Sequence, residues 1–127
     1  MAIAAQVHDR FKLFAGTLDA DGHPGALAAS VAKWAAAASV APKSIGIEFV
    51  ESTKQLILSV GYRDDEPGYA VTLASTKIGK LGALDPGELE RLEAALATAA
   101  ASARNVICHE LYVTDANELY VVTMSHA

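Results

Sequence analysis

The sequence predicts an α+β protein, a single domain spanning 1–127 and built from two similar β-α-β-β halves at about 1–63 and 68–125. Three observations carry this. Apolar and polar residues alternate with period two along 45–62 around a short polar turn, the pattern of a β-hairpin. Two alanine-rich segments have helical spacing, and the second carries a clear start signal. A helix-then-hairpin pattern also recurs after about 62 residues, the kind of period that duplication produces.

Taken in order, the first strand has two candidates, Met1 to Val7 and Phe11 to Thr17, and either leads into the turn Asp19-Ala20-Asp21-Gly22. The first helix is expected over Ala26 to Ser39 and is closed by Ala41-Pro42, because proline cannot continue a helix. Ile45, Ile47 and Phe49 alternate with polar or small neighbours, Ser52-Thr53-Lys54 turns the chain, and Leu56, Leu58, Val60 and Tyr62 form the return strand. The charged loop 63–68 ends in Pro67-Gly68, and a strand begins at Tyr69, Val71 and Leu73. That strand is expected to run out near Ile78, within a glycine-spaced turn flanked by Lys77 and Lys80. Asp85-Pro86-Gly87-Glu88 reads as an N-cap, a proline in the first turn and a capping-box glutamate. The helix after it shows its apolar stripe at Leu89, Leu92 and Leu96 and ends near Ala103. Val106 to Thr114 and Glu118 to Met124 make the closing hairpin around 115–117.

Composition narrows the function. The net charge of −5 and the lack of a basic cluster argue against a nucleic-acid partner and against a membrane-surface partner. The first residues have no basic region before an apolar stretch and read as neither a signal peptide nor a membrane span. A lone cysteine, Cys108, rules out an internal disulfide framework and fits a cytoplasmic protein. No cofactor or metal site is expected: Asp19-Ala20-Asp21-Gly22 resembles the start of a calcium loop, but Ser30 stands where the loop's last glutamate belongs. His8, His23 and His126 are too scattered along the chain to argue for a metal.

The repeat sets Ile-Gly-Ile-Glu-Phe-Val at 45–50 beside Ile-Cys-His-Glu-Leu-Tyr at 107–112, with Glu48 matching Glu110; a chance likeness of two helix-plus-hairpin segments is the plainer alternative. Two such units are expected to make one mixed sheet of four or more strands with both helices on one face. Val50, Ile57 and Ala70 would then lie on an uncovered, largely apolar face, which in solution calls for a partner, and copies of the same chain are the usual one.

The run from Tyr69 to Gly82, with Lys77-Ile78-Gly79-Lys80 at its centre, resembles the third-strand-to-loop segment of the tautomerase superfamily. Helix 86–103 follows at the expected spacing, Pro24-Gly25 precedes the first helix, and Pro42 precedes the strand at Ile45; the likeness covers roughly 24–118. The resemblance implies a homotrimer that interconverts keto and enol forms of small 2-oxo carboxylates without a cofactor. The family's base is an amino-terminal proline exposed when methionine leaves, and here Ala2 takes that position, with no proline before Pro24. The family's arginine on the strand matching 45–50 is missing too.

The expected site residues each have a plainer reading beside the functional one. The Ala2 amine would act as general base, since a free α-amine titrates near pH ~7.7–8.0, or it is a solvated chain end. Ile78 would contact substrate, and Lys77 or Lys80 would attract its carboxylate; otherwise the lysines are solvated. His109, alternating with Ile107 and Leu111 and opposite in facing to Cys108, would bind substrate from a neighbouring subunit, with Ile107 as a further substrate contact, or it is simply packed on its strand. With the proline absent, the same scaffold also reads as a non-catalytic binding protein. A third reading is an acidic secretion chaperone or immunity protein.

Overall fold

The structure is a computed structural model and describes residues 9–127. The elements are β1 (Asp9–Thr17), α1 (Gly25–Ala38), β2 (Ala41–Val50), β3 (Gln55–Arg63), β4 (Val71–Lys80), α2 (Pro86–Ala101), β5 (Val106–Val113) and β6 (Glu118–His126). The first-strand candidate Phe11–Thr17 lies within β1, and the other, 1–7, lies outside the described residues.

The single mixed sheet expected from the sequence is replaced by two three-stranded sheets. Sheet A runs β1-β3-β2 and sheet B runs β4-β6-β5, with every pairing antiparallel. In each half the return strand of the hairpin inserts between the other two, so the strands flanking the helix never become neighbours. A mixed sheet needs that parallel contact. β2 and β5 lie against each other where the two sheets meet.

Both halves turn the chain at matching places. Among the described residues, the left-handed conformation occurs at Gly22 and Leu84 before the two helices, at Ser39 and Asn105 before β2 and β5, and at Lys54 and Asn117 in the two hairpin turns. Glu48 lies opposite Ile57 and Glu110 opposite Val122, each on the sheet face turned away from its own half's helix.

The helices do not share a face, contrary to expectation. α1 buries Leu27, Val31 and Ala35, a stripe of period four, in one core with Leu56, Leu58 and Val60 of sheet A and Val71, Tyr120, Val122 and Met124 of sheet B. Trp34 of α1 stands edge-on to Phe14 and Tyr62, with ring centroids 5.7 and 5.0 Å away. α2 instead lies on the opposite face of sheet B, where Leu92 closes over Gly79 and Leu96 approaches Val121. Strand alternation explains the split: Tyr120, Val122 and Met124 point to α1, while Leu119 and Val121 point to α2. Among the described residues, sheet B thus has a helix on each face, with α2 lying mainly over β4 and leaving Leu111 of β5 exposed, and sheet A has a helix on one.

Three boundaries also move. β2 starts at Ala41, ahead of Ile45, and Pro42 fits because the pairing shifts register between Pro42 and Ser44. β4 continues through the segment expected to turn: Ile78 is the extra residue of a bulge between Lys77 and Gly79, and the strand resumes pairing to Lys80. α2 ends at Ala101, two residues before the expected end. Its start follows the sequence signal: the Asp85 carboxylate accepts the Glu88 N–H at 2.9 Å and Pro86 occupies the first turn.

Candidate functional site

One feature of the surface stands apart. Among the described residues, the face of sheet A turned away from α1 has no covering layer, and Phe11 is 71% exposed, Leu13 67% and Ile57 42%. These side chains and Ala15 form a ridge along β1 and the middle of β3, since Leu13 sits opposite Ser59 and Ala15 opposite Ile57. Beside the ridge the same face carries small residues: Ser44 and Gly46 on β2 pair with Gly61 and Ser59 on β3, with the Phe11 ring leaning over Gly61 and Glu48 beside Ile57. One surface therefore carries both a projecting apolar edge and a floor of small residues.

A second feature is a polar cleft of about 570 Å³ between the loop 18–22 and the hairpin turn at 114–118. The loop is tightly made. Asp19 Oδ1 accepts the N–H groups of Asp21 and His23 at 3.0 and 2.9 Å, and the Asp19 N–H donates to the His23 carbonyl at 2.8 Å. Gly22 closes the turn at φ 84°, and a Cβ there would collide with the Tyr120 hydroxyl. The Tyr120 hydroxyl donates to the Asp21 carbonyl at 2.7 Å and the Tyr112 hydroxyl to the Gly22 carbonyl at 2.6 Å, from rings stacked 5.1 Å apart. Burial pushes both phenols above their usual range, with Tyr120 and Asp19 adding to the effect at Tyr112 and Glu118 at Tyr120.

The two lysines of the cleft are already paired with carboxylates. Lys54 pairs with Asp115 at 3.0 Å, and Lys77 pairs with Glu118, which raises the Lys77 ammonium's pKa. Asp19 and Asp21 add two further carboxylates to the lining.

The expected site residues do not gather in the described part of one chain. Lys77 stands at the polar cleft, Ile78 is half-buried at the bulge, and Lys80 is exposed at the end of β4. His109 lies on the α2 side of sheet B, its Nδ1 2.9 Å from Thr123 Oγ1, beside an apolar hollow of about 380 Å³ formed with Leu96, Leu111 and Val121. Ile107 does not share the facing of His109. The register shift between Val106 and Cys108 breaks the alternation, and Ile107 and Cys108 both pack on the core. Burial raises the Cys108 thiol's pKa, which keeps it protonated and poorly nucleophilic. Ala2 lies outside the described residues.

The fold also joins two residues that sequence reasoning left apart. His23 Nδ1 and Ser75 Oγ are 2.5 Å from each other, although 52 positions separate them in the chain. The only sequence signal for this was the helix-entry loop at 19–24, which places His23 just before α1.

Comparison with known proteins finds no match: no family model, curated protein or solved structure resembles the chain closely enough to count.

Proposed function

We propose that this is a homo-oligomeric binding protein, without keto–enol isomerase activity, whose copies close over the uncovered face of sheet A. The observation that carries the proposal is the Phe11–Leu13–Ile57 ridge, exposed beside the small-residue floor of Ser44, Gly46, Ser59 and Gly61 on the same face. A surface with its own projection and its own hollow is suited to a second copy, because symmetry sets the ridge of each chain against the floor of the other. Water on this ridge is costly: burying a large aliphatic or aromatic side chain is worth about 1.5–3 kcal/mol. The resemblance to the tautomerase superfamily implies three copies in a ring, and the matched turn positions in the two halves support descent by duplication.

Binding is favoured over keto–enol isomerisation because of charge. The one expected carboxylate-attracting residue that reaches a cleft, Lys77, is paired with Glu118, and that cleft is lined by four carboxylates against two ammonium groups. Among the described residues it offers no spare cation to a 2-oxo carboxylate.

The test is size-exclusion chromatography with light scattering on wild type and Leu13→Asp. Leu13 is 67% exposed, so hiding it is worth about two-thirds of ~2 kcal/mol per copy. With one such loss on each side, the variant's dissociation constant should rise about 100-fold. An unshifted mass for Leu13→Asp at the wild-type midpoint concentration would remove sheet A from the interface.

A further inference from the structure

We propose that His23 and Ser75 form a base–nucleophile pair that hydrolyses small carboxylic esters held in the groove between α1 and β4. The proposal goes beyond the self-association reading and does not depend on it.

Ser75 Oγ and His23 Nδ1 lie 2.5 Å apart, closer than an ordinary hydrogen bond, so the hydroxyl and the ring nitrogen are in direct contact. The histidine is held from several sides. Its backbone N–H donates to Asp19 Oδ1 at 2.9 Å, and its ring stands edge-on to Tyr120 with centroids 5.2 Å apart. The carbonyls just before it, at Asp21 and Gly22, are pinned by the Tyr120 and Tyr112 hydroxyls. A base on so tightly tied a loop keeps its aim without reorganising.

Ser75 also opens onto a second space. Its side chain lines an apolar groove of about 320 Å³ whose walls include Ala28, Ala32, Leu73 and Val122. That volume is at the small end of ligand pockets and suits a short acyl chain. Pro24 and Gly25 line the same groove, and α1 starts there without a side-chain cap or an acidic residue in its first turn. The first N–H groups of a helix have no partner within it, and they supply donors where negative charge develops on a carbonyl oxygen.

The chemistry balances with water as the only co-reactant. Ser75 Oγ attacks the ester carbonyl carbon while its proton passes to His23 Nδ1, giving a tetrahedral oxyanion. Collapse breaks the carbon–oxygen bond to the alcohol, which leaves with the proton from the imidazolium. Water then attacks the acyl-serine, surrendering a proton to Nδ1. A second collapse frees the carboxylic acid and returns the proton to Oγ.

Labelling with a fluorophosphonate probe, followed by peptide mass mapping, reads the nucleophile directly, and p-nitrophenyl butyrate hydrolysis reads turnover. The expected result is label on Ser75, lost in both Ser75→Ala and His23→Gln, with hydrolysis reduced about 100-fold in each. Ser75→Ala removes one oxygen from a half-buried position, and far-UV circular dichroism checks that the variant is folded. If His23→Gln disrupts the loop, Ser75→Ala decides alone. Folded wild type that takes no label at Ser75, or a Ser75→Ala variant with the wild-type hydrolysis rate, overturns the assignment.

Discussion

Replacing Glu88 with alanine should cost the protein about 3 kcal/mol. The Glu88 side chain is 11% exposed, and its Oε2 accepts two backbone N–H groups, Gly82 at 3.0 Å and Leu84 at 2.9 Å. Those bonds hold the connection from β4 to α2, where Leu84 takes the left-handed conformation at φ 56°. Hydrogen bonds to a charged group are worth about 1.5–3 kcal/mol each, and alanine would leave both donors without an acceptor. Partial access of water to a surface loop brings the sum toward the lower end. Alanine's better helix propensity returns only a few tenths of a kcal/mol. Urea unfolding followed by far-UV circular dichroism reads the loss. At a slope of about 2 kcal/mol per molar, the midpoint should fall by about 1.5 M. Glu88→Gln keeps an oxygen acceptor and should lose about 1 kcal/mol. A Glu88→Ala variant within 0.5 kcal/mol of wild type would refute the claim that this carboxylate organises the turn.

Other consequences are open to direct measurement. Both buried phenols hold their protons more tightly when folded, Tyr112 most of all, so the unfolded chain loses those protons first as pH rises past about 10. Stability should be level through neutral pH and fall above it, and Tyr112→Phe should make that alkaline fall shallower in urea midpoints taken from pH 8 to 11. Unchanged steepness would contradict the burial assigned to Tyr112. Gly22→Ala combines a positive φ with a collision at the Tyr120 hydroxyl, so it should lose about 2 kcal/mol or more and blur the loop that holds His23. Phenylpyruvate enolisation should run at the buffer rate, with no difference between wild type and protein blocked at its amino terminus. A rate that depends on the free amine would restore the isomerase.

Most elements were legible in the sequence because each rests on a local signal. Asp85, Pro86 and Glu88 mark the start of α2, and the alternation from Ile45 to Tyr62 marks a hairpin. Layering was less legible. Whether α1 and α2 share a face depends on which edges of two sheets meet, and the contact between β2 and β5 leaves no periodic trace in either strand. Bulges were equally hidden. At Ile78 a glycine-spaced stretch looks like a turn by composition, yet β6 pairs with both sides of it. At Ile107 a single extra residue sets Ile107 and Cys108 against the same core, so strict alternation misassigns its facing.

The candidate surfaces divide in the same way. An uncovered apolar sheet face was foreseen, and Ile57 lies on it, but its strongest members, Phe11 and Leu13, sit on the strand whose place was least certain. Ala70, expected on that face, lies just ahead of β4 in the other half. The His23–Ser75 contact joins residues on either side of a whole hairpin and helix, and no spacing rule connects them.

Sedimentation equilibrium across about 1–100 μM chain tests the central claim most directly. The account predicts an average mass that climbs with concentration to at least twice 13.2 kDa, and a Leu13→Asp chain that reaches the same value only at about 100-fold higher concentration. A wild-type mass of 13.2 kDa across the whole range would contradict it.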